Sequence, residues 1–171
     1  FSSGARQALL SPHVFASGMS EAENATKQQA AVARLEAAIE ANTRHKAVVY
    51  SPYIEAGLDP YARLLDQKKI PYGRFTGDVP AAVREKAVRD YNEGRLRALL
   101  VSDAGSEGLD LKGTRAVQIL APAWNQERLN QIIGRGIRYK SHAALPEAER
   151  EVTVENYRSV LPQGPFQRLF R

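Results

Sequence analysis

Residues 125–138 read Asn-Gln-Glu-Arg-Leu-Asn-Gln-Ile-Ile-Gly-Arg-Gly-Ile-Arg, a segment in which guanidinium groups recur at helical spacing. At about 100° per residue, Leu129, Ile132, Ile133 and Ile137 gather on one side. Arg128, Gln131, Arg135 and Arg138 gather on roughly the opposite side. Arg135 and Arg138, three apart, can reach one phosphate group, and the forked guanidinium suits that anion. Gly134 and Gly136 lie inside this helix, where each costs about 1 kcal/mol relative to Ala. A purely structural helix has little reason to carry that cost, whereas a ligand or second domain that must approach the backbone closely gives one.

The second candidate is the segment 102–113, Ser-Asp-Ala-Gly-Ser-Glu-Gly-Leu-Asp-Leu-Lys-Gly. Gly105, Gly108 and Gly113 permit tight turns whose N–H groups can face phosphate oxygens, and Ser102, Asp103, Glu107 and Asp110 offer polar ends. A carboxylate here can accept from a ribose hydroxyl. Gly108 and Gly113 have the separation found in a phosphate loop, but Thr114 and Arg115 follow where Lys and Ser or Thr are required. No adjacent Asp-Glu pair occurs anywhere to hold a catalytic magnesium ion or a water. The chain has groups fit to touch phosphate, yet no visible machinery to hold or hydrolyse a nucleotide alone.

These segments need a scaffold, and the hydrophobic rhythm describes one. Residues 47–50 form a short apolar run that stops at Ser51-Pro52, the pattern of a buried strand. Strands are also predicted at 71–75, 96–101, 116–120 and 152–157. Between them, helices are predicted from Asp59-Pro60, with Tyr61, Leu64 and Leu65 facing inward, and over 78–92, with Val83, Ala87, Val88 and Tyr91 on one face and Gly94 ending it. A helix capped by Ser20 and Glu23 runs to about residue 42 with Val32, Leu35 and Ile39 as its stripe. Alternation of this kind implies βαβ units around a mostly parallel sheet, with ligands outside the carboxyl ends of the strands. The segments after Tyr50, Phe75, Val101 and Leu120 are therefore the places to expect chemistry.

Composition narrows the classes. The chain has 171 residues, enough for one domain with a real core, and 43% of them are hydrophobic. There is no cysteine, which excludes disulfides, thiolate metal sites and cysteine nucleophiles. His13, His45 and His142 are scattered, so a histidine metal cage is not expected. No apolar run approaches the roughly 18 residues of a membrane span and no secretory signal is visible; the absent cysteines are permissive of an intracellular protein, which is the expectation. Net charge is +5, and the stretch 112–140 alone carries six basic residues against Glu127. Trp124 reads as a packing anchor, Tyr50 as core edge, and Lys68-Lys69 as a solvated helix end.

Gln131, Gly134, Arg135 and Arg138 in this order resemble motif VI of superfamily-two helicases and translocases, and 102–113, with Gly108 and Asp110, resembles their motif V. Residues 47–53 stand where motif IV stands, and Gly73, Arg74, Phe75, Thr76 and Gly77 resemble the strand-end segment whose Thr-Gly meets a nucleic-acid backbone. Order and spacing agree over 46–140. The lead-in Pro122, Ala123, Trp124 and Asn125, together with Gln131, is closest in flavour to chromatin-remodeller-type motors and to viral and phage helicases.

The resemblance implies a RecA-like α/β fold, three layers with a mostly parallel central sheet, in which 1–19 is a lead-in and 20–171 the second RecA-like domain of a two-domain motor. ATP would lie in the cleft against the first RecA-like domain, which would hold Mg2+ through its phosphate loop and Asp-Glu box. Arg138 would serve as the arginine finger with Arg135 in support, and Gln131, Gly108 and Asp110 would complete the nucleotide side. Ser51, Thr76, Gly77 and Ser102 would contact a nucleic-acid backbone, with DNA favoured over RNA. Alone, the chain is expected to be inactive as an ATPase. The alternative is a stand-alone RecA-like module that binds nucleic acid or regulates a partner without catalysis.

Overall fold

The computed structural model describes residues 26–103, 109–120, 130 and 152–157. In chain order the elements are α1 (Thr26–Ala41), β1 (Ala47–Tyr50), a π-helical turn (Ile54–Leu58), α2 (Asp59–Gln67), β2 (Tyr72–Phe75), α3 (Ala81–Asn92), β3 (Ala98–Val101), β4 (Ala116–Ile119) and β5 (Thr153–Asn156). The expected helix over 125–138 falls outside the described residues except for Asn130, which is helical.

All described strand pairs are parallel and the sheet order is β2-β3-β1-β4-β5. β1, β3 and β4 are buried at every position, which explains why they read as continuous apolar runs rather than as alternating ones. Their side chains divide between two layers. Val49 and Leu100 join Val32 and Leu35 of α1 and Tyr61 and Leu65 of α2 on one face. Val48, Tyr50, Leu99 and Val101 join Ala87 and Tyr91 of α3 on the other, with Leu109 and Leu111. The result is the helix–sheet–helix arrangement of a RecA-like α/β fold.

Local chemistry sets most boundaries close to expectation. Pro60 sits in the first turn of α2, where its missing N–H is no loss. The π-helical turn before it was not legible as a separate element. α3 starts at Ala81 rather than at Asp78, because Pro80 takes the extended N-cap conformation. It ends as expected: Gly94 adopts φ +81° and donates to the carbonyl of Tyr91 at 3.1 Å. Val83, expected on the inner face, is 47% exposed, since α3 begins beside β2, which among the described residues is the edge strand.

Two buried polar arrangements knit the layers. Gln118 of β4 accepts from the Tyr61 hydroxyl (2.7 Å) and donates to the carbonyl of Ala31 (2.9 Å) and to Glu155 (3.1 Å). Glu155 in turn takes the Tyr157 hydroxyl (2.9 Å) and Arg34 (2.5 Å), so one amide ties α1, α2, β4 and β5. At the amino ends of the strands, Lys46 is buried, donates to the carbonyl of Tyr91 at 2.6 Å and lies 4.3 Å from the centre of that ring. Arg97 beside it donates to the carbonyls of Thr43 (2.6 Å) and His45 (3.3 Å).

Gly73 of β2 has a packing reason: a Cβ there would stand 2.8 Å from the Ala87 Cβ and 2.9 Å from Leu96 Cδ1. Gly73→Ala is expected to destabilise the fold by about 1–3 kcal/mol through overpacking of β2 against α3, measured as a lower urea midpoint with unchanged slope.

The buried cations set an alkaline signature. Burial pulls Lys27 and Lys46 down to about 8 and pushes Tyr61, Tyr91 and Tyr157 above the ordinary tyrosine range. Between about pH 8 and 10 the unfolded lysines hold protons that the folded ones have released, so stability rises with pH. Above about pH 10 the unfolded tyrosines lose protons that the folded ones keep, so stability falls. Urea midpoints measured across this range should pass through a maximum near pH 10, and Lys46→Met should flatten the rising limb.

Candidate functional site

The ladder registers place the strand ends level with one another. Phe75 of β2, Val101 of β3, Tyr50 of β1, Ile119 of β4 and Asn156 of β5 are successive partners across the sheet. One residue further on, the sheet continues as the row Thr76, Ser102, Ser51, Leu120 and Tyr157. Ser102 N donates to the carbonyl of Phe75 (3.4 Å), Ser51 N to that of Val101 (3.1 Å), Leu120 N to that of Tyr50 (2.9 Å) and Tyr157 N to that of Ile119 (2.9 Å). Three hydroxyl residues expected to act together thus occupy three adjacent strand ends, although they lie far apart in the chain.

Their side chains are buried and differently committed. Ser51 Oγ accepts from the N–H of Tyr53 at 3.1 Å, capping the turn that leaves β1. The Thr76 hydroxyl bonds Asp78 and shapes the turn after β2, which leaves Gly77 exposed at its tip. Ser102 Oγ is buried with no hydrogen-bond partner among the described residues. Asp103, the next residue, accepts the Tyr50 hydroxyl at 2.5 Å, within the range of a charge-assisted O–H···O⁻ bond.

Asp110 does not join this row. Its side chain is exposed while its main chain is held from below: Asn92, the last residue of α3, donates to the Asp110 carbonyl (2.9 Å) and accepts from Lys112 N (2.8 Å). One amide side chain thus grips both sides of buried Leu111 as a neighbouring strand would. Gly108, Gln131, Arg135 and Arg138 lie outside the described residues. Among the described residues no group of His, Cys, Asp or Glu could hold a metal ion, and no helix is long and apolar enough to cross a membrane.

The switch in winding direction lies at β1 and β4, since β1 leads to one side of the sheet and β4 to the other. Crevices of this kind bind ligands in open α/β sheets. Here α1 reaches it: Lys27 donates to the carbonyl of Leu120 at 2.9 Å, and Gln28 to that of Ala56 at 3.3 Å. Neither Lys27 nor Asn92 stood out in the sequence, because a lysine in a first helical turn and an asparagine at a helix end are ordinary locally. Only the partner, more than 90 residues away for Lys27, gives the side chain its task. A cavity of about 730 Å³ lies elsewhere, along the outer edge of β2 between α2 and α3, and none of the strand-end row lines it.

The contrast between the two serines is measurable. Ser51→Ala leaves the buried Tyr53 N–H without this acceptor and should cost about 1–3 kcal/mol of stability, whereas Ser102→Ala removes a hydroxyl that makes no bond among the described residues and should stay within about 0.5 kcal/mol. Denaturant unfolding of both variants checks this, and equal losses would contradict the assignment.

Comparison with known proteins agrees with this geometry. The model of the helicase conserved C-terminal domain matches residues 30–140. A putative ATP-dependent RNA helicase of Acanthamoeba polyphaga mimivirus is 41% identical over 115 residues, which cover 67% of this chain and 26% of that protein. Nucleoside triphosphatase I of Choristoneura biennis entomopoxvirus is 31% identical over 123 residues, covering 66% of this chain and 18% of its own length. The chain therefore spans about a quarter or less of these two relatives. Among solved structures, the C-terminal part of the Fun30 ATPase domain shares the fold with a TM-score of 0.59 at 18% identity, covering 75% of this chain and 40% of that one. Domain 2 of the Mss116p DEAD-box helicase, bound to an RNA duplex, does so with a TM-score of 0.61 at 19% identity, covering 77% and 50%. A family match over residues 30–140, on a five-stranded parallel sheet with helices on both faces, makes this chain a member of the helicase conserved C-terminal domain family, of the superfamily-two RecA-like type.

Proposed function

We propose that residues 20–171, preceded by a lead-in over 1–19, form the C-terminal motor half of an ATP-dependent nucleic-acid helicase or translocase. The observation that carries this reading is the row Thr76, Ser102 and Ser51 on three adjacent strand ends of a helicase C-terminal domain. The row fixes the strand ends and leaves the turn after β2 exposed at Gly77, where its main chain can meet a sugar–phosphate backbone, which gives affinity and tracking rather than sequence readout. The buried hydroxyls of Ser51 and Thr76 shape the turns that present those groups.

ATP would lie in the cleft against an N-terminal RecA-like domain that supplies the phosphate loop, the Asp-Glu box and the Mg2+ site. The exposed carboxylate of Asp110, on a main chain fixed by Asn92, suits a ribose hydroxyl and supports placing the nucleotide on that side. In this reading Gly108 and Gln131 line the nucleotide. Arg138 supplies the arginine finger, with Arg135 beside it, stabilising charge that develops in phosphoryl transfer. The remodeller-like lead-in favours DNA, while the mimivirus relative is named an RNA helicase, so both backbones are candidate tracks. The motor would act inside a cell, in a bacterial or virus-infected cytoplasm or in a nucleus.

The test joins the chain to a P-loop-bearing N-terminal RecA-like domain and measures ATP turnover. Arg138→Ala should lower turnover by on the order of a thousandfold while ATP binding is retained. The 171-residue chain alone should show no turnover above background. Robust turnover by the chain alone, or unchanged turnover in the variant, would overturn the proposal.

A further inference from the structure

Tyr50 is fully buried on the central strand, among the apolar side chains that also include Val101, Leu109 and Leu111. A tyrosine in so apolar a setting has a reason to keep its hydroxyl only if that group has work to do. Its hydroxyl reaches across the strand-end row from β1 to β3 and donates to Asp103 Oδ1 at 2.5 Å. Immediately below, Ser51 N donates to the carbonyl of Val101 at 3.1 Å. Two bonds therefore tie β1 to the residues on either side of Ser102: one of main chain from Ser51 to Val101, and one of side chain from Tyr50 to Asp103, the second residue of motif V. The far limb of motif V is gripped separately by Asn92 through Asp110 and Lys112. Motif V is thus held at its entrance by β1 and at its exit by α3.

We propose that the Tyr50–Asp103 hydrogen bond is a positioning contact that couples the nucleic-acid track at Ser51 and Ser102 to ATP turnover. This inference rests on the motor reading above. Tyr50 touches neither substrate; it fixes the carboxylate of Asp103, and through it the start of motif V, relative to the strand that carries Ser51. Loss of the hydroxyl leaves both binding surfaces intact but loosens their relative placement, so the loss falls on stimulation rather than on binding.

The measurement is the ratio of ATP turnover with nucleic acid to turnover without it, in the protein joined to its N-terminal RecA-like domain. Duplex DNA and duplex RNA of equal length serve as probes. Tyr50→Phe should lower the ratio about tenfold, with affinity for the probe changed by no more than about twofold. Asp103→Ala should match it, and the double variant should fall no further, as expected for two ends of one bond. Asp103→Asn keeps an acceptor oxygen for the tyrosine and should retain at least about half of the wild-type ratio. That series tests the bond from the loop side even if Tyr50→Phe folds poorly. An unchanged ratio in Tyr50→Phe, additive losses in the double variant, or Asp103→Asn as impaired as Asp103→Ala would overturn the inference. A wild-type protein that shows no stimulation by either probe would instead overturn the motor reading itself.

Discussion

The main-chain hydrogen bonds that run level across the carboxyl ends of β2, β3, β1 and β4 decide where every strand-end group lies. Each strand is only four residues long, so the register has little length over which to be set. Burial sets it instead. Because β1, β3 and β4 are enclosed on both faces, a slip of one residue would exchange the two layers of side chains and force Val49 and Leu100 into spaces shaped for Val48 and Leu99. The row Thr76, Ser102 and Ser51 is the direct consequence of that register.

The two ends of the sheet solve opposite problems. At the amino ends, long cations are drawn inward and bound to carbonyls: Lys46 to Tyr91, and Arg97 to Thr43 and His45. Those contacts hold the ends of the strands against α3 and the turn after α1, and they commit the side chains to structure. At the carboxyl ends the side chains are short, Ser51, Thr76 and Ser102, and the turns they shape leave main chain available at Gly77. Rigid support at one end and small groups at the other is the division that lets loops carry chemistry on a fixed scaffold. Lys27 and Gln118 extend the support sideways, anchoring α1 to β4 at two heights.

Much of the fold was legible because burial on both faces leaves a plain signature. The strands read at 47–50 and 96–101 form at 47–50 and 98–101, and Pro60 and Gly94 marked a helix start and a helix end by backbone chemistry alone. That the segments beginning at Ser51 and Ser102 follow strand ends was legible for the same reason. The exceptions have physical causes. Val83 fits the inner face of α3 by spacing, yet lies open because, among the described residues, β2 is the edge of the sheet there. Gln118 and Lys46 interrupt apolar stretches, and their partners lie in distant elements, so nothing local announced that they would be buried and satisfied. Asp103 was visible as a polar end without a partner, since its tyrosine stands on a strand 53 positions earlier.

By itself the sequence determined the alternation of strands and helices, the parallel sheet and the family, because these depend on periodicity, turn chemistry and residue type within short windows. Only the tertiary structure decided the order β2-β3-β1-β4-β5. With that order came the adjacency of Thr76, Ser102 and Ser51, the grip of Asn92 on the main chain of Asp110 and Lys112, and the bond from Tyr50 to Asp103. These are contacts between residues tens of positions apart, and their geometry follows from how two apolar layers close on a shared sheet rather than from any local preference of the chain.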